Sequence, residues 1–219
     1  MESDRDLRGT RTTIWRRTVT TKTTAEFWFD PICPWAWMTS RWILEVEKVR
    51  DVDVTFNIFS LAHLNRNTTD EKYRANFPRS WRTTRVIMAA KTKHGQEYVL
   101  PLYTAIGTRI HLKKMDIGTE LLEEALIEVG LDKSLAAEMD NESWNDAIIE
   151  SHERGISLVG NDVGTPLIKV GDFAFFGPVI SPAPKGEAAG KLWDGVVNVA
   201  SYPGFFEIKR SRTVGPIFD

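Results

Sequence analysis

A single cysteine stands where a predicted strand gives way to a predicted helix, and this junction constrains the fold more than any other part of the sequence. Residues 27–42 read FWFDPICPWAWMTSRW. The apolar run over 25–29 predicts a short buried strand. Pro34 follows Cys33 and suits the first position of a helix, because proline has no backbone N–H to leave unpaired there.

Cys33 is therefore predicted to be the N-cap residue of that helix. At this position its side chain faces backbone N–H groups without partners, at the positive end of the helix dipole. Both effects favour the thiolate, which is the reactive form of cysteine. A lone cysteine is otherwise more often a small buried apolar residue, but the strand, the proline and the helix around Cys33 favour the reactive interpretation.

The composition is that of an ordinary globular chain, and it narrows the choice of function. Of 219 residues, 42% are hydrophobic and 26% are charged. The formal net charge of -2 gives no reason to predict nucleic-acid binding, and no apolar run of about 18 residues predicts a membrane span. One cysteine cannot form an intramolecular disulfide, and the scattered histidines predict no metal site.

The first 23 residues are polar and rich in threonine and arginine. They lack the apolar core of about 7–15 residues that a secretory signal needs. We expect residues 1–23 to form a disordered or loosely attached arm, and we expect a cytoplasmic location as the default.

A second strand is predicted over 52–59, where apolar and polar residues alternate. Together with the strand over 25–29 and the helix over 34–49, it forms a strand–helix–strand unit in which the two strands are parallel. Loops at the carboxyl ends of such strands commonly form the binding site. The turn that carries Cys33 lies at this end.

The remaining pattern is a long helical block followed by a hairpin. Residues 70–158 are helical in character, and within them Ser143 is predicted to cap a helix that ends before Gly155. Gly171 and Asp172 predict a tight turn between two short strands. In the last helix, the residues predicted to face inward are Ala188, Ala189, Leu192, Val196 and Val199. The predicted helices are 81–94, 99–111, 119–129, 133–139, 143–154 and 185–200, and the hairpin strands are 167–170 and 173–176.

This order of elements resembles the thioredoxin fold of the DsbA type, an α/β fold with an inserted α-helical subdomain. The stretches FWFDPICPWAW, NDVGTP, AFFGPV, GEAAGKLWD and SYPGFFEIKRSRT resemble those of the DsbA-like mycothiol-dependent nitroreductases and mycoredoxin-type reductases of actinobacteria. The resemblance covers about residues 25–219. It implies a thioredoxin-like domain of residues 24–66 and 160–219, interrupted by a helical subdomain of residues 67–159.

The resemblance also implies which residues form the site. Cys33 would be the nucleophile, Pro34 would begin the helix, and Trp35 would stack on a flat substrate. The family motif is C-P-W-C, and Ala36 stands here in place of the second, resolving cysteine. Whether Ala36 is native or an engineered replacement stays open.

Five further residues are implied in substrate binding. Asn65 would lie in the loop after the second strand, and the residue type there is also typical of a turn. Tyr73 would lie in the first turn of the insertion, and His111 near the cysteine. Thr165 and Pro166 occupy the place of the cis-proline that packs beside the reactive cysteine in this fold, and cis bonds form only about 5–6% of X–Pro bonds.

The implied activity is that of a mycothiol-dependent thiol–disulfide oxidoreductase or nitroreductase. Cys33 would form a mixed disulfide that an external thiol releases, with a disulfide or a nitroaromatic compound as substrate. The alternatives are a redox-silent binding protein of the thioredoxin fold and a kappa-class glutathione-transferase-like isomerase, although that class more often has serine at the nucleophile position. The aromatic tail after residue 200 permits a homodimer.

Overall fold

The computed structural model describes residues 22–218, and their strands form a four-stranded sheet in the order β2-β1-β3-β4. β1 is parallel to β2 along its length, and β3 is antiparallel to both β1 and β4. The strands are β1 (Thr23–Phe29), β2 (Val52–Ile58), β3 (Leu167–Val170) and β4 (Phe173–Phe176). The predicted parallel unit and the hairpin are both confirmed.

One helix joins the parallel strands, six lie between β2 and β3, and one follows β4. Short 3₁₀ segments precede α5 and α7, and a π-helical turn over Thr108–Leu112 continues α5. The helices are α1 (Pro34–Glu47), α2 (Leu61–Leu64), α3 (Glu71–Arg74), α4 (Phe77–His94), α5 (Val99–Gly107), α6 (Thr119–Glu128), α7 (Asn145–Ile156) and α8 (Gly186–Ala200). The domain limits inferred from the sequence stay a prediction.

The centre of the molecule lies around the carboxyl-terminal half of β1, whose side chains are buried on both faces of the sheet. On one face, Phe29 stacks on Tyr103 of α5 with 3.7 Å between the ring centroids. On the other face, Trp28 packs with Phe59 and Ile156. A central strand covered on both faces is apolar on both, which is why Phe27, Trp28 and Phe29 follow one another without a polar residue.

α1 packs on α8 through the apolar stripe that its sequence predicts. Trp42 is fully buried, lies 6.0 Å from the Trp193 ring, and donates its indole N–H to the carbonyl of Ala189 at 3.1 Å. The prediction that Ala188 and Val199 face inward is wrong, because both are exposed. Ala189 is buried as predicted, and Trp193 is the large buried side chain of α8 that the pattern did not select.

The predicted limits of α7 are also wrong. The helix begins at Asn145, after a 3₁₀ turn in which the Asn141 side chain accepts a hydrogen bond from the Ser143 N–H at 3.1 Å. Gly155 lies inside the helix rather than after it. A Cβ at Gly155 would lie 2.9 Å from the indole of Trp28, so this glycine permits close packing of α7 on β1.

The two ends of the described chain differ, because the first begins in a strand and the last forms an irregular tail. Most of the predicted arm, residues 1–21, lies outside the described residues, and Thr23 belongs to β1 rather than to the arm. The tail from 201 to 218 has no helix or strand. It packs on the rest of its own chain through Phe218, whose ring stacks on His111 at 5.5 Å.

In the described part of the chain, no helix combines the length and the apolar character that crossing a membrane requires.

Candidate active site

A cavity of about 190 Å³ opens at the carboxyl end of β1, where α1, α2, α3 and α4 meet. Its position agrees with the rule that sites lie beyond the carboxyl ends of parallel strands. Cys33 forms part of its wall. The lining residues are Ile32, Cys33, Pro34, Leu61, Ala62, Asn65, Tyr73, Asn76, Phe77, Arg79 and Ser80.

Cys33 is the N-cap residue of α1, with Pro34 at the first helical position, as predicted. Its sulfur accepts a hydrogen bond from the Ala36 N–H at 3.4 Å and donates one to the carbonyl of Thr165 at 3.4 Å. The peptide bond between Thr165 and Pro166 is cis, which confirms the prediction for this pair. The cysteine is thus held between the start of α1 and the loop before β3.

The expectation that the start of the helix lowers the pKa of Cys33 and so favours its thiolate is wrong for this state of the protein. Only 7% of the residue is exposed, and this burial raises the pKa of Cys33 to about 12. The charge of Asp30 raises the pKa further, while the N–H groups of Ala36 and Trp35 oppose the increase. The N–H groups at the start of α1 lower the pKa of Cys33, as predicted, but burial raises it by more.

Asp30 is a buried carboxyl group behind the cavity that the sequence pattern indicated only as the end of a strand. It accepts hydrogen bonds from the N–H of Ile32 at 3.0 Å, the N–H of Leu61 at 2.7 Å and the Ser80 hydroxyl at 2.5 Å. Burial raises the pKa of Asp30 to about 6, although these three hydrogen bonds lower it. Asp30 therefore ties the Cys33 turn to α2 and α4, and an acid directly after a buried strand was the only signal available.

Two of the predicted substrate residues line the cavity. Asn65 ends α2 and donates its side-chain amide to the carbonyl of Leu61 at 2.8 Å, so it also has the turn role that its residue type suggests. Tyr73 in α3 is 57% exposed and stands at the cavity wall. Their roles in binding stay predictions.

Thr165 and Pro166 lie beside the cysteine rather than in the cavity lining. The Thr165 hydroxyl donates to the carbonyl of Trp28 at 2.7 Å, and the carbonyl of Pro166 accepts from the Gly177 N–H at 2.9 Å. These bonds fix the loop, and they hold the Thr165 carbonyl in contact with the sulfur.

His111 lies in the π-helical turn, away from the cavity lining. Its Nε2 is 2.9 Å from the carbonyl of Pro31, and its ring lies between Trp37 at 5.4 Å and Phe218 at 5.5 Å. Burial lowers the pKa of His111 to about 4, and the hydrogen bond to Pro31 opposes this. In this state His111 is neutral and supports the Cys33 turn from behind.

The other two residues of the C-P-W-A motif differ in accessibility. Trp35 is partly buried, and the guanidinium of Arg212 from the tail lies 5.1 Å from its ring. Ala36 is fully buried, and its N–H is the donor to the Cys33 sulfur. The position of the second thiol in the family motif is therefore packed, and Cys33 is the only sulfhydryl of the chain.

A group with metal-ligating side chains lies on the far side of α2. Potential ligand atoms of His63, His152 and Glu153 fall within 4.8 Å of one another. These groups already bond elsewhere, because His63 pairs with Glu153 at 3.0 Å and Nδ1 of His152 accepts from the Ser60 N–H at 3.4 Å. The absence of a metal site stays a prediction.

Comparison with protein families gives one match across most of the chain. Residues 32–210 match the model of the Rv2466c-like family, described as mycothiol-dependent nitroreductase Rv2466c. The uncharacterized protein Rv2286c of Mycobacterium tuberculosis is 28% identical over 194 residues, which cover 87% of this chain and 83% of that protein.

Comparison with solved structures gives the fold. A probable DsbA oxidoreductase of Streptomyces coelicolor is 16% identical with a TM-score of 0.55, covering 89% of this chain and 97% of that one. The cytosolic disulfide reductase DsbM of Pseudomonas aeruginosa, with GSH, is 16% identical with a TM-score of 0.51, covering 80% and 99%. A 2-hydroxychromene-2-carboxylate isomerase is 11% identical with a TM-score of 0.56, covering 80% and 94%. The predicted DsbA-like thioredoxin fold is confirmed.

Proposed function

We propose that this chain, which belongs to the Rv2466c-like family of mycothiol-dependent nitroreductases, reduces a disulfide or a nitroaromatic compound with mycothiol as the electron donor. The family is one of thiol-dependent oxidoreductases. The mixed disulfide at Cys33 and the nature of the substrate form the proposal.

One observation supports this proposal most strongly. The sulfur of Cys33 lies at the wall of a cavity, between the N–H of Ala36 and the carbonyl of Thr165. An N–H donor stabilises a thiolate, and a carbonyl beside a cysteine offers an edge to which an extended thiol substrate can bond. The N–H group would therefore assist formation of the thiolate, and the carbonyl would help to hold the substrate beside it.

In the proposed reaction Cys33 loses its proton and its sulfur forms a bond to one sulfur of a disulfide. The disulfide bond breaks, and the second sulfur leaves with the electron pair and takes up a proton. Because Ala36 cannot supply a second thiol, a first external thiol attacks the mixed disulfide, bonds to the Cys33 sulfur and displaces the remaining half of the substrate as a thiol. A second external thiol then attacks the sulfur of the thiol bound to Cys33, so that the two thiols leave as one disulfide and Cys33 regains its proton. Over one cycle, two molecules of thiol become one disulfide, and the two electrons and two protons reduce the substrate.

For a nitroaromatic substrate the same two electrons and two protons convert the nitro group to a nitroso group and one water. The residues that line the cavity fit such a ligand. Asn65, Asn76 and Ser80 offer polar groups, while Tyr73 and Phe77 offer rings for a flat molecule. The thiol supplies the electrons, and the protein binds and orients the reactants.

A second function is favoured by a specific observation, the burial of Cys33 and its raised pKa. A thiol with these properties reacts slowly, and a redox-silent protein that binds a ligand in the cavity would tolerate it. This candidate predicts that ligand binding survives C33S, whereas the oxidoreductase predicts that turnover does not.

We also propose the partners and the location of the protein. The partners would be a low-molecular-weight thiol and a disulfide or nitroaromatic compound, and a cytoplasmic location would supply the reduced thiol. The large apolar residues exposed in the tail, Tyr202, Phe206 and Ile208, would permit a homodimer.

The test is a steady-state assay of mycothiol consumption with hydroxyethyl disulfide and with a nitrofuran as alternative substrates. We expect turnover that depends on mycothiol and falls to background in C33S. Glutathione at the same concentration is the thiol control, and K191A in the exposed face of α8 is the protein control. Turnover that persists in C33S would contradict the proposed role of Cys33. If the parent protein showed no turnover with either substrate or either thiol, the binding function would be favoured.

A further inference from the structure

We propose that Arg79 is a specificity-determining residue that binds an anionic group on an aromatic substrate of the Cys33 cavity. The site would therefore prefer flat aromatic carboxylates over neutral aromatic compounds of the same size. This inference rests on the proposed function for its identification of the cavity as the substrate site, and it adds the chemical class of the substrate.

The charge balance of the cavity wall is the first argument. Among the lining residues of the described chain, Arg79 carries a positive charge and none is a carboxylate. Asp30 lies behind the wall, where the Ser80 hydroxyl and two backbone N–H groups bond its carboxylate oxygens. A cavity with one guanidinium and no acid at its surface attracts an anion.

The second argument is that the guanidinium of Arg79 has no partner within residues 22–218. No hydrogen bond or ion pair joins it to another group there, although its backbone carbonyl accepts from Thr83. Its helical neighbours on α4 are paired, since Arg82 bonds to Asp140 at 2.9 Å and Arg85 bonds to Asn145 at 2.9 Å. The five N–H donors of Arg79 remain available for the planar, two-oxygen geometry of a carboxylate.

The charge of Arg79 also reaches the region behind the cysteine. It is among the positive charges that lower the pKa of His111, whose Nε2 bonds to the carbonyl of Pro31 in the Cys33 turn. Arg79 and Cys33 line the same cavity, so an anion bound to Arg79 there would share that cavity with the Cys33 sulfur.

The remaining wall favours an aromatic ring. Tyr73 and Phe77 place two aromatic side chains beside the apolar residues Ile32 and Leu61. Rings stack on such side chains in offset or edge-on arrangements, which add to the affinity of a flat ligand. Together with Arg79, this wall matches a ring that carries a carboxylate.

The first experiment measures the single-turnover reaction of Cys33 with two aromatic disulfides, the anionic dithiobis(nitrobenzoate) and the neutral dithiodipyridine. In both reactions the Cys33 sulfur bonds to one disulfide sulfur, and an aryl thiolate leaves with the electron pair. We expect R79A to slow the anionic probe about tenfold, the factor that one lost charge-assisted contact gives. The rate with the neutral probe should stay within about twofold of the parent rate.

Two variants complete the comparison. R82A removes a cation three residues further along α4 that pairs with Asp140, and it should leave both rates unchanged. R79K keeps the charge without the planar fork, so it should recover most of the rate with the anionic probe. An equal effect of R79A on both probes, or no effect on either, would overturn the proposal.

A second measurement does not need the thiol. The affinities of C33S for para-nitrobenzoate and para-nitrobenzamide can be compared by tryptophan fluorescence, since the two ligands differ in charge and hardly in shape. We expect tighter binding of the benzoate, with the preference lost on adding R79A. If neither disulfide reacts with Cys33 but this preference is present, the proposed exchange reaction fails while the role of Arg79 stands. Equal affinities for the two ligands would refute that role whatever the kinetics show.

Discussion

The reactivity of Cys33 depends on two opposing contributions that act on one sulfur atom. Burial and the charge of Asp30 raise its pKa, while the N–H groups of Ala36 and Trp35 lower it. Because burial is the largest of these, a ligand that changes the polarity of the cavity can change the fraction of thiolate. The resting protein is therefore expected to alkylate slowly at neutral pH.

Replacing Asp30 by asparagine removes a negative charge near the sulfur. The pKa of Cys33 should fall, because Asp30 is one of the groups that raise it. We expect the rate of iodoacetamide alkylation at pH 8 to increase severalfold in D30N, measured by intact mass against time. The same variant should lose about 1–3 kcal/mol of stability, because one acceptor of buried N–H groups becomes a donor.

S80A is the control for a faster alkylation that comes only from the loss of a hydrogen bond to Asp30. It removes the hydroxyl that bonds to Asp30 at 2.5 Å but keeps the carboxylate. It should not lower the pKa of Cys33. If D30N and S80A accelerated alkylation equally, the charge of Asp30 would not be the cause.

Restoring the second cysteine tests the consequence of Ala36. In A36C the new thiol lies three residues after Cys33 in the first turn of α1, as in the family motif. We expect A36C to release a bound thiol from Cys33 by forming an intramolecular disulfide, whereas the parent chain keeps the adduct until an external thiol is added. Mass spectrometry of both adducts during dilution into thiol-free buffer would check this, and equal retention would contradict it.

The elements that carry the site are held by close contacts of small residues with tryptophans. Gly155 of α7 lies against Trp28, and Gly107 at the end of α5 lies against Trp37, where a Cβ would meet the ring at 2.2 Å. Trp28 also donates its indole N–H to the carbonyl of Ser151 at 3.0 Å. These contacts fix two helices of the insertion against β1 and α1.

The contact at Gly155 gives a prediction for stability. Alanine has the higher helix propensity by about 1 kcal/mol, but in G155A its Cβ would meet the Trp28 ring at 2.9 Å. Overpacking of this kind costs about 1–3 kcal/mol, so we expect a net loss of up to about 2 kcal/mol in urea unfolding.

The matched control is G195A in α8, where nothing lies within 4 Å of the new Cβ. It should stabilise the protein by up to about 1 kcal/mol. A G155A variant as stable as G195A would show that α7 can shift from Trp28 without cost.

The strands were predictable from the sequence, and the ends of some helices were not. The alternation over residues 52–58 and the turn at Gly171 and Asp172 are local patterns, and the structure has those strands within one residue. The start of α7 depends on a 3₁₀ turn capped by Asn141, and the place of Gly155 depends on Trp28, a residue 127 positions earlier in the chain. Contacts of this range leave no periodic signal.

At the site, too, some features were predictable from the sequence and others depend on contacts across the whole molecule. The position of Cys33 at the start of α1 and the cis bond before Pro166 follow from short motifs and from the family resemblance. The burial that raises the pKa of Cys33, and the bonding of Asp30 to Ser80 of α4, arise from elements that the sequence separates. The pKa shifts at the site therefore could not be predicted until the packing of the whole fold was known.

The stability of the whole molecule should decrease on acidification. Burial lowers the pKa of both His111 and His152 to about 4, so between about pH 6.5 and 4 the unfolded chain binds more protons and stability is lost as the pH falls. Asp30 opposes this, because its raised pKa of about 6 means that the folded state binds the extra proton between about pH 6 and 3.8. Two histidines outweigh one aspartate, so the net loss should be about 2–4 kcal/mol.

Urea unfolding at pH 7 and pH 4.5 measures this loss, and NMR titration of the histidine ring protons assigns it. We expect His111 and His152 to titrate near pH 4 in the folded protein. Titration of both near pH 6.5, or equal stability at the two pH values, would disagree with their burial.

The proposed function depends on the exchange of Cys33 with a low-molecular-weight thiol without a second cysteine. It is tested most directly by the intact mass of the protein after incubation with oxidised mycothiol and then with free mycothiol. We expect a single adduct on Cys33 that the free thiol removes completely. No adduct, on protein whose Cys33 is alkylated by a smaller reagent under the same conditions, would contradict it.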